Sequence, residues 1–299
     1  MDGADGPVFH SARRLMNAWQ TTRFLIDLTR PRVMGVVNVT PDSFSEGGFY
    51  IDTQAAIAHC EQLVRDGADL LDIGGESSRP GAAPVQADDE WQRVRPVLAA
   101  ALTLGVAVSV DTCRPEVMQQ ALDQGVDVIN DIRALAAPQA LDVVARHPAC
   151  GVCLMHMRGE PATMQHETRY TDVVAEVAAF LVSRVETVAA AGVARQRIVV
   201  DPGIGFGKSV AHNFALLRQQ RSLLAAGAPV LVGWSRKSSL GVVTGRAVGE
   251  RLAASVAAAV MAVERGASIV RVHDVAATVD ALKVWSAAAG TMPSATLNP

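Results

Sequence analysis

The sequence predicts an α/β fold, a single-domain (β/α)8 TIM barrel, on three observations. Eight short runs rich in Val and Ile alternate with longer amphipathic stretches, glycines stand where several stretches end, and 299 residues at 49% hydrophobic content suffice for one large core. Strands covered by helices on both faces are continuous apolar runs, and parallel pairing needs a helical crossover. The runs fall at 33–38, 70–74, 106–111, 128–131, 152–157, 198–201, 230–233 and 269–272. Helical stretches follow near 53–66, 88–104, 115–124, 138–147, 171–191, 210–224, 248–265 and 276–287. Pro115 opens one helix after Arg114, and Gly67, Gly105, Gly125, Gly192 and Gly266 sit where C-terminal caps belong. An open doubly wound sheet shares much of this local pattern; eight β/α units in a row place the closed barrel first.

Residues 1–23 precede the first unit as an N-terminal extension, 24–288 form the barrel with a short strand at 24–28 over its floor, and 289–299 form a tail. Lys and Arg number 27 against 30 Asp and Glu, with seven Phe, four Trp and two Tyr. Such a chain lacks the basic track and stacking platforms of a nucleic-acid binder. The longest apolar run, 252–263, is too short to span a bilayer. The opening residues start acidic without an apolar stretch of signal-peptide length, and Cys60, Cys113, Cys150 and Cys153 do not form a disulfide framework. A cytoplasmic location is therefore expected.

In a β/α barrel the active site is built at the C-terminal ends of the strands. Asn38, Asp72 with Glu76, Asp111, Asn130 with Asp131, His156, Asp201, the 235–238 segment SRKS, and Arg271 with His273 all fall there. One strand-end Asp is an ordinary turn former or cap. Their convergence on one mouth is the informative feature. Asp111, Asp201 and the Asn130 amide suit a flat heterocycle bearing amino and ring N–H donors, and Lys237 can donate to a ring carbonyl. Arg271 and His273 lie two apart, project to one side, and imply an anion such as pyrophosphate; Arg236 and the serines at 238–239 strengthen that reading. A barrel-rim ion pair is the bland alternative for Arg271.

The segments 39–50 and 75–87, rich in Gly, Ser and Pro, read as lids, with Phe44 and Arg79 conspicuous. The 203–207 segment GIGFG lacks P-loop spacing, and Cys150-x-x-Cys153 has no second pair for zinc. His10, His59, His147, His166 and His212 are scattered and read as surface or helix-face residues.

Eight segments then carry a resemblance: MGVVNVTPDSFSEGG (34–48), DIGGESSRPGA (72–82), VDTCRPEV (110–117), NDI (130–132), MHMRGEPATMQ (155–165), DPGIGFGK (201–208), SRKSSLG (235–241) and RVHDV (271–275). In this order the chain closely resembles the bacterial dihydropteroate synthase family. The resemblance implies condensation of 7,8-dihydropterin-6-ylmethyl diphosphate with p-aminobenzoate, with diphosphate leaving before the amine attacks. It implies a pterin pocket of Asp111, Asn130, Asp201, Lys237 and Arg271, with Arg271 stacked on the ring. Diphosphate falls to Asn38, Arg271 and His273, with Asn38 also meeting Mg2+. The p-aminobenzoate site, where sulfonamides compete, falls to Phe44, Ser78, Arg79, Pro80, Phe206 and Ser238. Catalysis is implied for Arg79, Lys237, Arg271 and His273 through stabilisation of the leaving group and loop closure rather than a strong base. A homodimer is implied as well, with the Ala-rich stretches near 252–263 and 281–289 as candidate packing faces.

Ser78, Arg114 and Arg158 stand where family members often have Thr, Lys and Gln. Ser78 keeps the hydroxyl but lacks a methyl, which implies a looser p-aminobenzoate contact. Two rivals share the expected barrel. A corrinoid-dependent pterin methyltransferase domain has no need of the SRKS and RVHD segments that hold a departing diphosphate, and a non-catalytic pterin-binding paralogue is expected to lose Phe44, Arg79, Arg271 or His273, all present here.

Overall fold

The computed structural model describes residues 17–39, 49–77, 85–160, 163–164 and 168–291. Eight parallel strands close into a barrel: β3 (Arg32–Asn38), β4 (Leu70–Gly74), β5 (Ala107–Asp111), β6 (Val128–Asp131), β7 (Gly151–Met155), β8 (Ile198–Asp201), β9 (Val230–Val232) and β10 (Ala267–Val272), with β10 pairing back onto β3. They coincide with the eight apolar runs to within two residues at every end. The outer ring holds α1 (Phe49–Arg65), α2 (Ala87–Ala101), α3 (Pro115–Asp123), α4 (Ala140–Arg146), α5 (Val173–Ala190), α6 (Val210–Arg218), α7 (Ser238–Thr244), α8 (Leu252–Glu264) and α9 (Val275–Ala288).

Two helices differ from expectation. The stretch 210–224 ends its α-helix at Arg218 and continues as 3-10 turns over Gln220–Ala226, where Gln220 Nε2 donates to the Ala262 carbonyl at 2.8 Å. The stretch 248–265 starts its helix only at Leu252, and a separate α7 precedes it, stopped by Gly245 at φ 70°. The expected glycine caps hold: Gly67, Gly105, Gly125, Gly192 and Gly266 all have positive φ.

The barrel interior starts with one apolar side chain from each strand: Met34, Leu70, Ala107, Val128, Cys153, Val199, Leu231 and Ile269. Trp19, fully buried, closes this layer from below and donates its indole N–H to the Arg197 carbonyl at 2.9 Å. Trp19 belongs to an antiparallel hairpin of β1 (Ala18–Gln20) and β2 (Leu25–Asp27). The floor therefore begins at residue 18 rather than 24, because a second strand is needed to pair β2 and the indole fills the barrel bottom. Arg23 fastens it, its guanidinium gripping the buried Asp127 at 2.6 Å and 3.2 Å, while Asp127 also accepts the Val108 N–H at 2.9 Å. All four cysteines are free; Cys153 fills the barrel, and Cys150 meets the Arg197 guanidinium at 3.1 Å, so the pair serves packing.

Trp19→Ala opens a large cavity at a closed site and is expected to lower the unfolding free energy by about 3–5 kcal/mol, read from denaturant unfolding; a loss below about 1 kcal/mol means the barrel closes without this plug.

Candidate active site

The strand ends opposite the floor gather the polar residues, and register sets their heights. Asn38 pairs with Gly74, Gly74 with Asp111, and Asp111 with Asn130, so four successive strand ends lie level around the mouth. Asp201 ends β8 beside Met155, and Arg271 projects from β10.

Arg271 is gripped along one edge. Its Nε donates to Asp72 Oδ2 at 2.6 Å and its Nη2 to Asp111 Oδ2 at 2.8 Å. Asp72 is fully buried, and the same Oδ2 also accepts from Asn130 Nδ2 at 3.0 Å. The ion-pair reading of Arg271 therefore holds, and the pairs do not use the whole guanidinium. Two carboxylates fix the guanidinium plane, leaving its faces for stacking and Nη1 without a partner among the described residues. Burial works against the charge of Arg271, but Asp72 and Asp111 outweigh it and raise its pKa. Burial pushes the Asp111 carboxyl up to about 7 against the opposing pull of Arg271, with Asp72 adding to the rise.

Each carboxylate expected to face the heterocycle has one oxygen engaged. Asp111 gives one to Arg271, and Asp201 Oδ1 accepts from the Gly203 N–H at 2.7 Å. Asp111 Oδ1, Asp201 Oδ2 and the Asn130 amide oxygen remain as acceptors without hydrogen-bond partners among the described residues. Burial raises the Asp201 pKa against Gly203, Lys237 and Arg271. Lys237 is the expected donor. Its ammonium lies 4.3 Å from the Phe206 ring centroid, and burial together with Arg271 lowers it to about 8. Lys237 and Phe206 therefore stand together, while Ser238 opens α7 exposed to solvent. Phe44, Ser78, Arg79 and Pro80, and most of both expected lids, lie outside the described residues.

Several strand-end residues proved to build loops instead. Asp131 accepts the Arg133 and Leu135 N–H groups at 2.8 Å and 2.7 Å and shapes a turn in which Ala134 and Leu135 adopt positive φ. Arg236 is held by Asp274 at 2.6 Å, and Ser239 is buried against Asn213 at 2.9 Å, so neither adds to an anion site. His156 is buried, edge-on to Phe180, with Nδ1 2.8 Å from Lys208 Nζ.

That contact exposes positioning groups the sequence reading passed over. Lys208, buried after the GIGFG segment, also donates to the carbonyls of Gly203 and Phe206 at 3.0 Å each. Gly203, at φ 66°, has no room for a Cβ beside the His156 carbonyl. Asn213 ties this loop to the next: its Oδ1 accepts from the Gly205 N–H at 2.9 Å and its Nδ2 donates to Ser239. Neither side chain stands at a strand end, which is why position alone could not find them.

The chain matches the pterin binding enzyme family over residues 34–273. It is 53% identical over 277 residues to the dihydropteroate synthase of Neisseria meningitidis serogroup B, covering 91% of this chain and 97% of that one. The chain belongs to the dihydropteroate synthase family. Among solved structures it resembles Xanthomonas albilineans dihydropteroate synthase with 4-aminobenzoic acid (TM-score 0.86, 49% identity, 93% of this chain and 100% of that one). It also resembles Burkholderia cenocepacia dihydropteroate synthase complexed with 7,8-dihydropteroate (TM-score 0.84, 49% identity, 92% and 97%). The eight-stranded barrel is thus that of a dihydropteroate synthase fold.

Burial and the adjacent Lys208 lower the His156 pKa from 6.5 to about 3. The unfolded chain takes up a proton near pH 6.5 that the folded chain refuses until about pH 3, so His156 loses stability as pH falls through this window. Relative to His156→Gln, the wild type should show an unfolding free energy steeper in pH by up to about 1.4 kcal/mol per pH unit between those limits. Parallel curves in denaturant titrations would show that this imidazole protonates freely in the fold.

Proposed function

We propose that the chain catalyses the dihydropteroate synthase reaction, joining 7,8-dihydropterin-6-ylmethyl diphosphate to p-aminobenzoate with release of pyrophosphate. The observation that carries this reading is the set of valences left open among the described residues of one mouth: three acceptors on Asp111, Asn130 and Asp201, one donor on Lys237, and the guanidinium faces of Arg271. A pterin offers amino and ring N–H donors to the first three, a carbonyl to the fourth and a flat face to the fifth.

With the ring so held, Arg271 Nη1 and His273 face the diphosphate end. The methylene C–O bond breaks, its electron pair leaves on the diphosphate, and positive charge spreads into the pterin ring. The amine nitrogen of p-aminobenzoate then attacks the methylene carbon and gives up a proton. The chain's part is to orient the ring and stabilise the departing charge; it needs no strong base at the carbon. Phe206 and Ser238, adjoining Lys237, frame the p-aminobenzoate side, with sulfonamides as competitors.

Mg2+ is proposed as the cofactor. Among the described residues no cluster of three or more His, Cys, Asp or Glu could hold a metal ion by itself. Asn38 offers one amide oxygen, which fits an ion carried mainly by phosphate oxygens and water. Bound there, the ion would neutralise diphosphate charge. A homodimer is proposed on the outer face, where Val242 and Val243 of α7, Leu252 and Met261 of α8 and Val284 of α9 are large apolar side chains left exposed. No described helix is long and apolar enough to cross a membrane, and a cytoplasmic site of action is proposed.

The test is pyrophosphate release from the purified protein with the pterin diphosphate and Mg2+, with and without p-aminobenzoate. Release accompanied by dihydropteroate and competed by a sulfonamide supports the reading, whereas tight pterin binding without release points to a non-catalytic binder. Asp201→Asn, which places an amide donor against pterin donors, is expected to weaken pterin binding about 10-fold to 100-fold by calorimetry; unchanged affinity would remove Asp201 from the pocket.

A further inference from the structure

His273 follows β10 and Ser235 follows β9, the two strands paired side by side in the barrel. Ser235 Oγ lies 3.1 Å from the His273 backbone nitrogen and 3.0 Å from His273 Nδ1. A hydroxyl has one hydrogen to give. The backbone N–H must donate, so it occupies one lone pair of Oγ. Were Nδ1 to donate as well, the Ser235 hydrogen would need another acceptor, and Oγ has no other partner among the described residues in a side chain only 6% exposed. The accounting closes when the hydroxyl donates to Nδ1, which places the ring hydrogen on Nε2.

We propose that Ser235 is a positioning residue that locks His273 in the Nε2–H tautomer, so that its free nitrogen offers a hydrogen to an anionic oxygen in the barrel mouth rather than a repelling lone pair. The ring is held neutral: burial, Arg271 and Arg236 lower the His273 pKa to about 3, and Lys237 acts in the same direction against Asp274. Without a lock, a neutral imidazole next to Arg271 can turn its lone pair toward the ligand. Identification of the anion as a diphosphate rests on the function proposed above; the position of the ring hydrogen does not.

Nitrogen-15 correlation spectra of histidine-labelled protein read that position directly. The wild type should show Nε2 protonated and Nδ1 bare, Ser235→Ala should show both tautomers in exchange, and Ser235→Thr, which keeps the hydroxyl, should restore the wild-type pattern. Pyrophosphate binding should weaken about tenfold in Ser235→Ala. In a His273→Ala background the same substitution should cost no further affinity, because Ser235 acts through the ring. A wild-type ring protonated on Nδ1 would overturn the proposal, as would an unchanged tautomer and affinity in Ser235→Ala. So would a full additional loss in the His273→Ala background, which would make the hydroxyl itself the ligand contact. If the wild type binds no pyrophosphate, the anion reading of the mouth falls, while the wild-type spectrum still decides the role of Ser235.

Discussion

Asp72 is a carboxylate with no exposed surface, and removing such a group from water is costly unless a cation and further donors meet it. Arg271 and Asn130 meet it here, and the second arm of Arg271 reaches Asp111. Four side chains from β4, β5, β6 and β10 are thereby fixed by one network. Removing Asp72 alone would leave Arg271 free to swing. Removing Arg271 would leave two carboxylates without the cation that bridges them. The pocket's flat wall and its cationic end are consequences of the same pairing, since the edge that binds carboxylates is the edge that cannot bind ligand.

Around that network a second set of polar residues holds loops rather than ligand. Lys208 collects two carbonyls from its own loop and the imidazole at the end of β7. Asn213 links the loop bearing Phe206 to the segment bearing Lys237 and Ser238. Ser235 links the ends of β9 and β10. Buried polar groups of this kind are stable only when satisfied, so each one admits few loop geometries. A barrel supplies rigid strand ends; these three side chains tie the loops above them to one another and to those ends.

How much of this was legible in the sequence follows from where each signal lives. The eight strands were legible because strands buried on both faces concentrate Val and Ile into unbroken runs, and the caps because left-handed backbone selects glycine. The β1–β2 hairpin was half legible: three-residue strands carry little periodicity, and the role of Trp19 depends on contacts with Arg197 and Gly151 far along the chain. In the site, Asp111, Asn130, Asp201, Lys237, Arg271 and His273 stood out by position and motif. Asp72 was placed at the mouth but given no role, since nothing in the sequence shows which arginine it holds. His156 and Asp131 erred the other way, because a polar strand end looks the same whether it faces the mouth or an adjoining loop.

The two ends of the barrel are organised on opposite principles. The floor matches charge to charge and fills its volume: Arg23 pairs with Asp127, Arg30 and Arg32 with Asp69, and Trp19 occupies the centre. Among the described residues the mouth leaves acceptors open on Asp111, Asn130 and Asp201 and holds Lys237 partly desolvated. Open valences in a confined, partly buried space destabilise the free protein, and ligand binding recovers that cost. Because the layer of eight apolar side chains separates the ends, substitutions at the floor should act on stability and leave ligand binding unchanged. The fold thus places its strain where ligand can relieve it.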